Sequence, residues 1–280
     1  MVLRAMNSCK LVLAAVLLGG LQAPLLAANV NEHDESTEFP GRALYPEVTV
    51  MDLDDLYRRL EGVIVVDVRS AYEYETLRIK DSINIPLSSK TFISRIRQLR
   101  ESDTRPIVMY CNGKTCMKSY KAVRMCATNK IDNVHAYDAG IMDWARAYPE
   151  HAELLGKSPV DPKKLISKNE FKKHLLSPEA YGDQVANSSA IVLDVRDTFQ
   201  REGLSIFVGR ERRTHLDDKK KLDSYIDKAI TEGKTLLVHD AAGQQVQWLQ
   251  YYLKDKGLKS YYFMDGGAAA YYQQMKNESD

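Results

Sequence analysis

Cysteine is scarce. The chain has four in 280 residues, too few for a disulfide-built scaffold. Charge of one sign is also missing. The formal net charge is +1, so there is no whole-chain electrostatic footprint for nucleic acid, and no such partner is expected. The six histidines show no metal-ligand spacing, and no metal site is expected. A Cys-x-x-Cys at a helix start, the stronger redox signal, is lacking. What is present is ordinary for a globular chain: 44% hydrophobic and 28% charged residues. That excludes a collagen-like, low-complexity or wholly disordered protein. The length suggests two domains.

Long apolar runs are confined to the N-terminus. Arg4 and Lys10 precede an uncharged run, Leu11 to Leu26, which ends in Ala27-Ala28. A basic start, an apolar middle and small residues at the end read as a secretory signal peptide over 1–28. The alternative is an uncleaved N-terminal anchor. Gly19, Gly20, Gln22 and Pro24 interrupt the run, and no stable membrane span is expected after cleavage. The mature protein is expected to be periplasmic or secreted. It would keep Cys111, Cys116 and Cys126, an odd number that leaves at least one thiol unpaired within the chain. Cys126 falls on the apolar face of a helical pattern and reads as core.

The rest of the chain repeats. Val63-Ile-Val-Val-Asp-Val-Arg69 recurs as Ala190-Ile-Val-Leu-Asp-Val-Arg196, and Pro106-Ile-Val-Met-Tyr-Cys111 as Thr235-Leu-Leu-Val-His-Asp240. Such apolar runs suit strands buried on both faces of a parallel sheet. Helical patterns alternate with them, which predicts two α/β domains. The expected organisation is a linker over 29–44, a first domain over 45–155, a turn-rich linker over 156–162 and a second domain over 163–280. The first copy has two extra residues between Cys111 and Asp138. The loop after Cys111 is the expected place for them.

That loop carries the chemistry. Cys111-Asn-Gly-Lys-Thr-Cys116 follows an apolar strand and precedes a helix. Ligands of α/β sheets bind at the carboxyl ends of strands. Amides and the helix dipole there lower a thiol pKa and hold an anion. Lys114 and Lys118 are expected to add positive charge. Cys111 is therefore a candidate nucleophile. The alternative is a buried structural cysteine.

Several segments together resemble the rhodanese-like sulfurtransferase family in its tandem form. They are Asp67-Val-Arg69 with Glu73-Tyr74-Glu75, then Ile79-Lys-Asp-Ser-Ile-Asn-Ile-Pro86, Cys111, and Ala139-Gly140 with Trp144. The resemblance covers about residues 45–275. It implies two domains, each a five-stranded, mainly parallel sheet with helices on both faces. It implies that Cys111 takes sulfane sulfur from a small anion such as thiosulfate and passes it to a thiol or protein acceptor, without cofactor or metal. Asn112, Gly113, Lys114, Thr115, Cys116, Met117, Lys118 and Ser119 would form the anion cradle, and Asp67 and Arg69 would support it. The loop departs from the family's Cys-x-x-Gly-x-Arg/Thr: Gly113 comes one place early and Cys116 replaces a basic or hydroxyl residue. Longer loops in the superfamily accompany Cys-x5-Arg phosphatases, but position 117 is methionine.

Asp240 stands where the first copy has Cys111. A carboxylate cannot carry a persulfide, so the second domain is expected to be silent and to wall the first domain's cleft. Two other functions remain open: a thiol–disulfide protein pairing Cys111 with Cys116, and a non-enzymatic binding module.

Overall fold

Buried β-branched strands set the architecture. The structure, a computed structural model, describes residues 38–196, 200 and 205–279. The expected signal peptide and residues 29–37 of the expected linker lie outside them. No helix among the described residues is long and apolar enough to cross a membrane.

The first lobe runs α1 (Pro40–Leu44), α2 (Leu53–Arg58), β1 (Ile64–Asp67), α3 (Ala71–Thr76), β2 (Leu77–Ile79), β3 (Ile83–Asn84), α4 (Phe92–Ser102), β4 (Ile107–Tyr110), α5 (Lys118–Thr128), β5 (Val134–Tyr137), α6 (Gly140–Ala147) and β6 (Ala152–Leu154). Its parallel sheet has the order β3-β1-β4-β5. Alternate side chains of the central strands enter different apolar clusters. Val65 and Val108 join Leu56, Ile141 and Trp144 on one face. Val66 and Met109 join Phe92, Ile96, Val123 and Cys126 on the other. This period of two explains the unbroken apolar runs, because neither face meets water. Each buried aliphatic contributes about 1.5–3 kcal/mol.

The second lobe runs α7 (Lys168–Lys172), β7 (Leu175–Leu176), α8 (Pro178–Asn187), β8 (Ile191–Asp194), β9 (Glu211–Arg213), α9 (Lys219–Thr231), β10 (Leu236–His239), α10 (Val246–Asp255), β11 (Tyr261–Met264) and α11 (Gly267–Ser279). Its five strands are all parallel, in the order β7-β11-β10-β8-β9. The four strands of the first sheet match β9-β8-β10-β11 of the second in order. Both lobes are α/β with helices on both faces, as expected.

Two expectations need correction. The first sheet has four strands, with the fifth place reduced to a single parallel bridge, Val50 to Ala136. A turn closes at Val48 and the cap of α2 begins at Asp52, so little chain is left to extend. The expected linker over 29–44 gives way to structure at its end: α1 packs on α5, with Gly41 against the Tyr120 ring and Arg42 bound to buried Asp138 at 2.9 Å. The segment 156–162 runs as turns and bends between the lobes, with Val160 buried and donating its amide to Pro149 O at 2.9 Å.

The lobes share an apolar cluster. Tyr72, Leu77 and Trp144 of the first and Trp248, Tyr251 and Leu253 of the second belong to it. Tyr251 Oη reaches Met142 Sδ at 3.9 Å, and Lys219 pairs with Glu75 at the surface.

Candidate active site

Strand β4 delivers Cys111 to the carboxyl edge of the first sheet, and helix α6 holds it there. Ile141 N donates to Cys111 O at 3.1 Å. The backbone can come so close because residue 140 is glycine. It has φ +77°, and a Cβ there would lie 2.3 Å from Gly113 N and 2.6 Å from Asn112 C. A left-handed residue pressed against another backbone admits only glycine.

The loop over 112–117 then turns back on itself. Cys116 N donates to Gly113 O at 2.8 Å. The turn brings the two cysteines together, and Cys111 and Cys116 form a disulfide with their α-carbons 6.3 Å apart. Cys111 is 1% exposed and Cys116 is half-buried. Helix α5 begins seven residues after Cys111, and α10 begins six after Asp240. One of the two extra residues of the first copy therefore lengthens the loop. The other lengthens the helix, which has 11 residues against 10.

Asp67 and Arg69 form a buried ion pair under the loop. Arg69 Nη2 lies 2.6 Å from Asp67 Oδ2, and Nε 2.9 Å from Oδ1. Burial works against the guanidinium charge, but Asp67 outweighs it and raises the Arg69 pKa. Arg69 Nη1 also donates to Asn112 Oδ1 at 3.1 Å. Asn112 Nδ2 in turn donates to Glu73 Oε1 at 2.8 Å. The other Glu73 oxygen closes a capping box with Ser70, which fixes the start of α3. Burial pushes the Glu73 carboxyl upward, but Lys118, Arg69 and the bonds from Asn112 and Ser70 hold it below its ordinary value. Glu73 is the site residue whose role was not foreseen. It lay in the resembling segment, but nothing in the spacing showed that it would meet Asn112.

The expected positive charge of the loop is largely paired. Lys114 bonds to Glu38 and lies 3.4 Å from Asp143, and Lys118 lies 3.8 Å from Glu73. The acceptors come from elements distant in sequence. Met117 packs into the core beneath the loop. Thr115 is exposed at the loop tip. Ser119, in the first turn of α5, is buried, and its Oγ has no hydrogen-bond partner among the described residues. Cys126 is a free buried thiol in the core, where desolvation pushes its pKa up to about 12.

A cleft of about 640 Å³ opens beside the loop, lined by both lobes. Residues 112–116 form one wall, and Ile166, Phe171, Trp248 and Tyr251 of the second lobe form another. Lys168 and Lys172 stand on the second lobe's rim. Arg69 lies over the Trp248 ring at 5.1 Å, so the second lobe touches the support of the loop itself.

In the second lobe the same position is filled differently. The Asp240 carboxylate accepts amides from Ala242 (3.1 Å), Gln245 (2.6 Å), Val246 (3.2 Å) and Gly243. The crossing of backbones is retained. Ala268 N donates to Asp240 O at 2.9 Å, and Gly267, at φ +62°, presses on Ala242 and Gly243.

Among the described residues one set of potential metal ligands is present, contrary to what histidine spacing suggested. Asp194, Glu211 and His239, from β8, β9 and β10, bring ligand atoms within 4.8 Å of one another. Spacing along the chain could not reveal it, because adjacent strands assemble it. However, Arg196 holds Asp194 through two bonds of 2.9 Å, and the Ile206 and Phe207 amides bond to Glu211. A guanidinium beside the carboxylate already supplies the positive charge. The cluster is a buried charge network, with His239 Nε2 3.7 Å from Asp194 and 3.8 Å from Glu211.

Over 103 residues the chain is 35% identical to an HTH-type transcriptional regulator of Mycobacterium tuberculosis, covering 36% of this chain and 43% of that protein. Over 104 residues it is 32% identical to the tRNA uridine(34) hydroxylase of Photorhabdus laumondii, covering 35% of this chain and 28% of that one. The chain thus spans less than half the length of these curated relatives. Among solved structures, thiosulfate sulfurtransferase from Pseudomonas aeruginosa is 19% identical over 83% of this chain and 47% of its own, with a TM-score of 0.35. A rhodanese-related protein from Thermoplasma volcanium is 24% identical over 36% and 93%, with a TM-score of 0.29. The family profile of the rhodanese-like domain matches residues 52–147 and 177–274, more than half of the chain. With two such matches on two lobes of matching topology, the chain belongs to the rhodanese-like family and carries its domain twice.

Proposed function

We propose that the protein is an exported sulfurtransferase whose carrier is Cys111. One observation carries this reading: Cys111 stands at the carboxyl end of β4, where a loop locked by Arg69, Asn112 and Gly140 enters α5 beside a cleft between the lobes. Reduced by a thiol, Cys111 would face the amides of an α-helix start, a setting that favours thiolate and persulfide anions. The thiolate attacks the sulfane sulfur of a small anionic donor such as thiosulfate. A sulfur–sulfur bond forms on Cys111, the donor's own bond breaks, and sulfite leaves with the electron pair. A thiol or protein thiolate then takes the outer sulfur and frees Cys111. Lys168 and Lys172 on the rim support an anionic donor. The proposed chemistry calls on no cofactor or metal. The N-terminal signal pattern supports a periplasmic or secreted location.

The test is intact mass after reduction and exposure to thiosulfate. A sulfur adduct is expected on the wild type and none on Cys111→Ala. An adduct retained by that variant would overturn the reading. The disulfide favours a second reading, dithiol–disulfide exchange through Cys111 and Cys116. Disulfide reduction without any sulfur adduct would favour it.

A further inference from the structure

Cys116 has no place in simple sulfur transfer, yet the fold puts it on the carrier. We propose a further activity: Cys116 resolves the Cys111 persulfide within the loop, so that the protein reduces sulfane sulfur to sulfide and uses a dithiol as co-substrate. This rests on the reading that Cys111 becomes persulfidated.

The geometry supplies both partners of the step. The Gly113–Cys116 turn brings Cys116 Sγ onto Cys111 Sγ, with an α-carbon separation of 6.3 Å inside the usual range for a bridge. The rest of the loop is pinned independently, by Ile141 N on Cys111 O and by Arg69 and Glu73 on Asn112. The bonded sulfur is the inner one, the atom that carries the sulfane. Cys116 thiolate attacks Cys111 Sγ, and the Cys111–Cys116 bond forms. The bond to the outer sulfur breaks, and that sulfur leaves as hydrosulfide with the electron pair. The sulfane sulfur gains two electrons, and the two cysteines together lose two. The Cys111–Cys116 bond of this structure is the one that step would form.

The return half is asymmetric. Cys116 lines the cleft while Cys111 is 1% exposed. An external dithiol therefore attacks Cys116 Sγ, and Cys111 leaves as the thiolate that the helix start favours. The second thiol of the reductant then displaces Cys116, leaving the reductant oxidised. The interlobe cleft of about 640 Å³, with apolar Phe171, Trp248 and Tyr251 on its far side, has room for a reductant far larger than a small inorganic anion. The second lobe has no thiol in its loop and cannot run either half.

The test uses the full chain, fully reduced and freed of reductant without air, then given thiosulfate or inorganic polysulfide. Wild type should release one sulfide per chain, leave Cys111 and Cys116 no longer open to alkylation and show the internal disulfide on peptide mapping. Cys116→Ser should load sulfur on Cys111, hold it, and release sulfide at least roughly tenfold more slowly. Cys111→Ser, given glutathione disulfide, should form the mixed disulfide on Cys116 and release glutathione. A wild-type persulfide that persists without sulfide release overturns the inference and leaves the sulfurtransferase reading standing. So does equal sulfide release by Cys116→Ser, or sulfur migrating to Cys116 in the wild type. Failure of Cys116→Ser to load any sulfur, with its fold intact, instead sinks the Cys111 carrier reading and the inference together.

Discussion

The two lobes build one loop twice and fill it in different ways. In both, a helix amide donates to the carbonyl at the strand end: Ile141 to Cys111 and Ala268 to Asp240. In both, a left-handed glycine presses on the loop backbone, at Gly140 and Gly267. In both, a buried Asp-x-Arg pair lies behind the strand, Asp67–Arg69 and Asp194–Arg196. The interiors of the loops differ. Asp240 turns its carboxylate onto three loop amides and the first amide of α10, and occupies the place an anion would take. The first lobe has Cys111 there, bonded to Cys116, and its loop is also tied from outside, by Asn112 between Arg69 and Glu73. The position matching Asn112 in the second lobe is Ala241. A loop that supplies its own anion needs no external tie, whereas a loop that must admit one does.

Moving the thiol from one lobe to the other should break the comparison most sharply. In Cys111→Ala/Asp240→Cys, sulfur-adduct formation should stay absent, because the second loop has Gln244 and Gln245 and no tie like Asn112. Near wild-type loading by mass spectrometry would show that the second loop was silent only for want of a sulfur.

The glycine pair comes next. Gly140→Ala and Gly267→Ala each add a Cβ at positive φ, with closest atoms at 2.3 Å and 2.7 Å. Each should destabilise by about 1–3 kcal/mol in denaturant melts. Only Gly140→Ala should lower the rate of sulfur loading, since it displaces Asn112 and Gly113. Equal loss of rate in both would mean that the second lobe's loop shapes the reaction.

Asp240→Ala should cost about 1–3 kcal/mol, because several amides lose their acceptor. Sulfate should restore part of the melting temperature by entering the vacated amides, and should do less for wild type. No difference between the two in added sulfate would argue that the loop collapses when emptied.

The smallest effect concerns acid. The Glu73 carboxyl is held below its ordinary value in the folded protein. Its contribution is therefore present at and above the ordinary carboxyl range and lost as pH falls through its lowered value. Glu73→Gln should remove that part of the acid-limb loss while leaving stability above it reduced. An unchanged acid limb would show that Asn112, and not the charge, holds the loop.

Cys126 provides an internal control. With its pKa pushed up to about 12 by desolvation, it should resist alkylation in the folded protein while reduced Cys116, which lines the cleft, reacts.

How much of this was legible in the sequence depended on how local the physics is. The unbroken run Ile64 to Asp67 and its copy Ile191 to Asp194 announced central strands, because a strand buried on both faces cannot alternate with polar residues. Cys111 at a strand end and Cys126 on a helix's apolar face were readable for the same reason. The shortened edge at Val50 was not, since an edge strand's length is set by the turn and cap that bracket it. Nor was the ordered segment at 38–44, whose anchor is a buried aspartate 96 residues away from Arg42.

By itself the sequence determined the α/β class, the doubled strand–loop–helix unit and the placing of one thiol loop and one carboxylate loop. These follow from periodicity and from side-chain chemistry at fixed positions along the chain. Only the tertiary structure decided that Glu73 meets Asn112, that Asp194, Glu211 and His239 converge, and that Trp248 of the second lobe lies against Arg69 of the first. It also turned Lys114 and Lys118 from free charges into paired ones. Those contacts join residues far apart in the chain. Their energies depend on burial and distance, which exist only once the sheets are assembled and packed together.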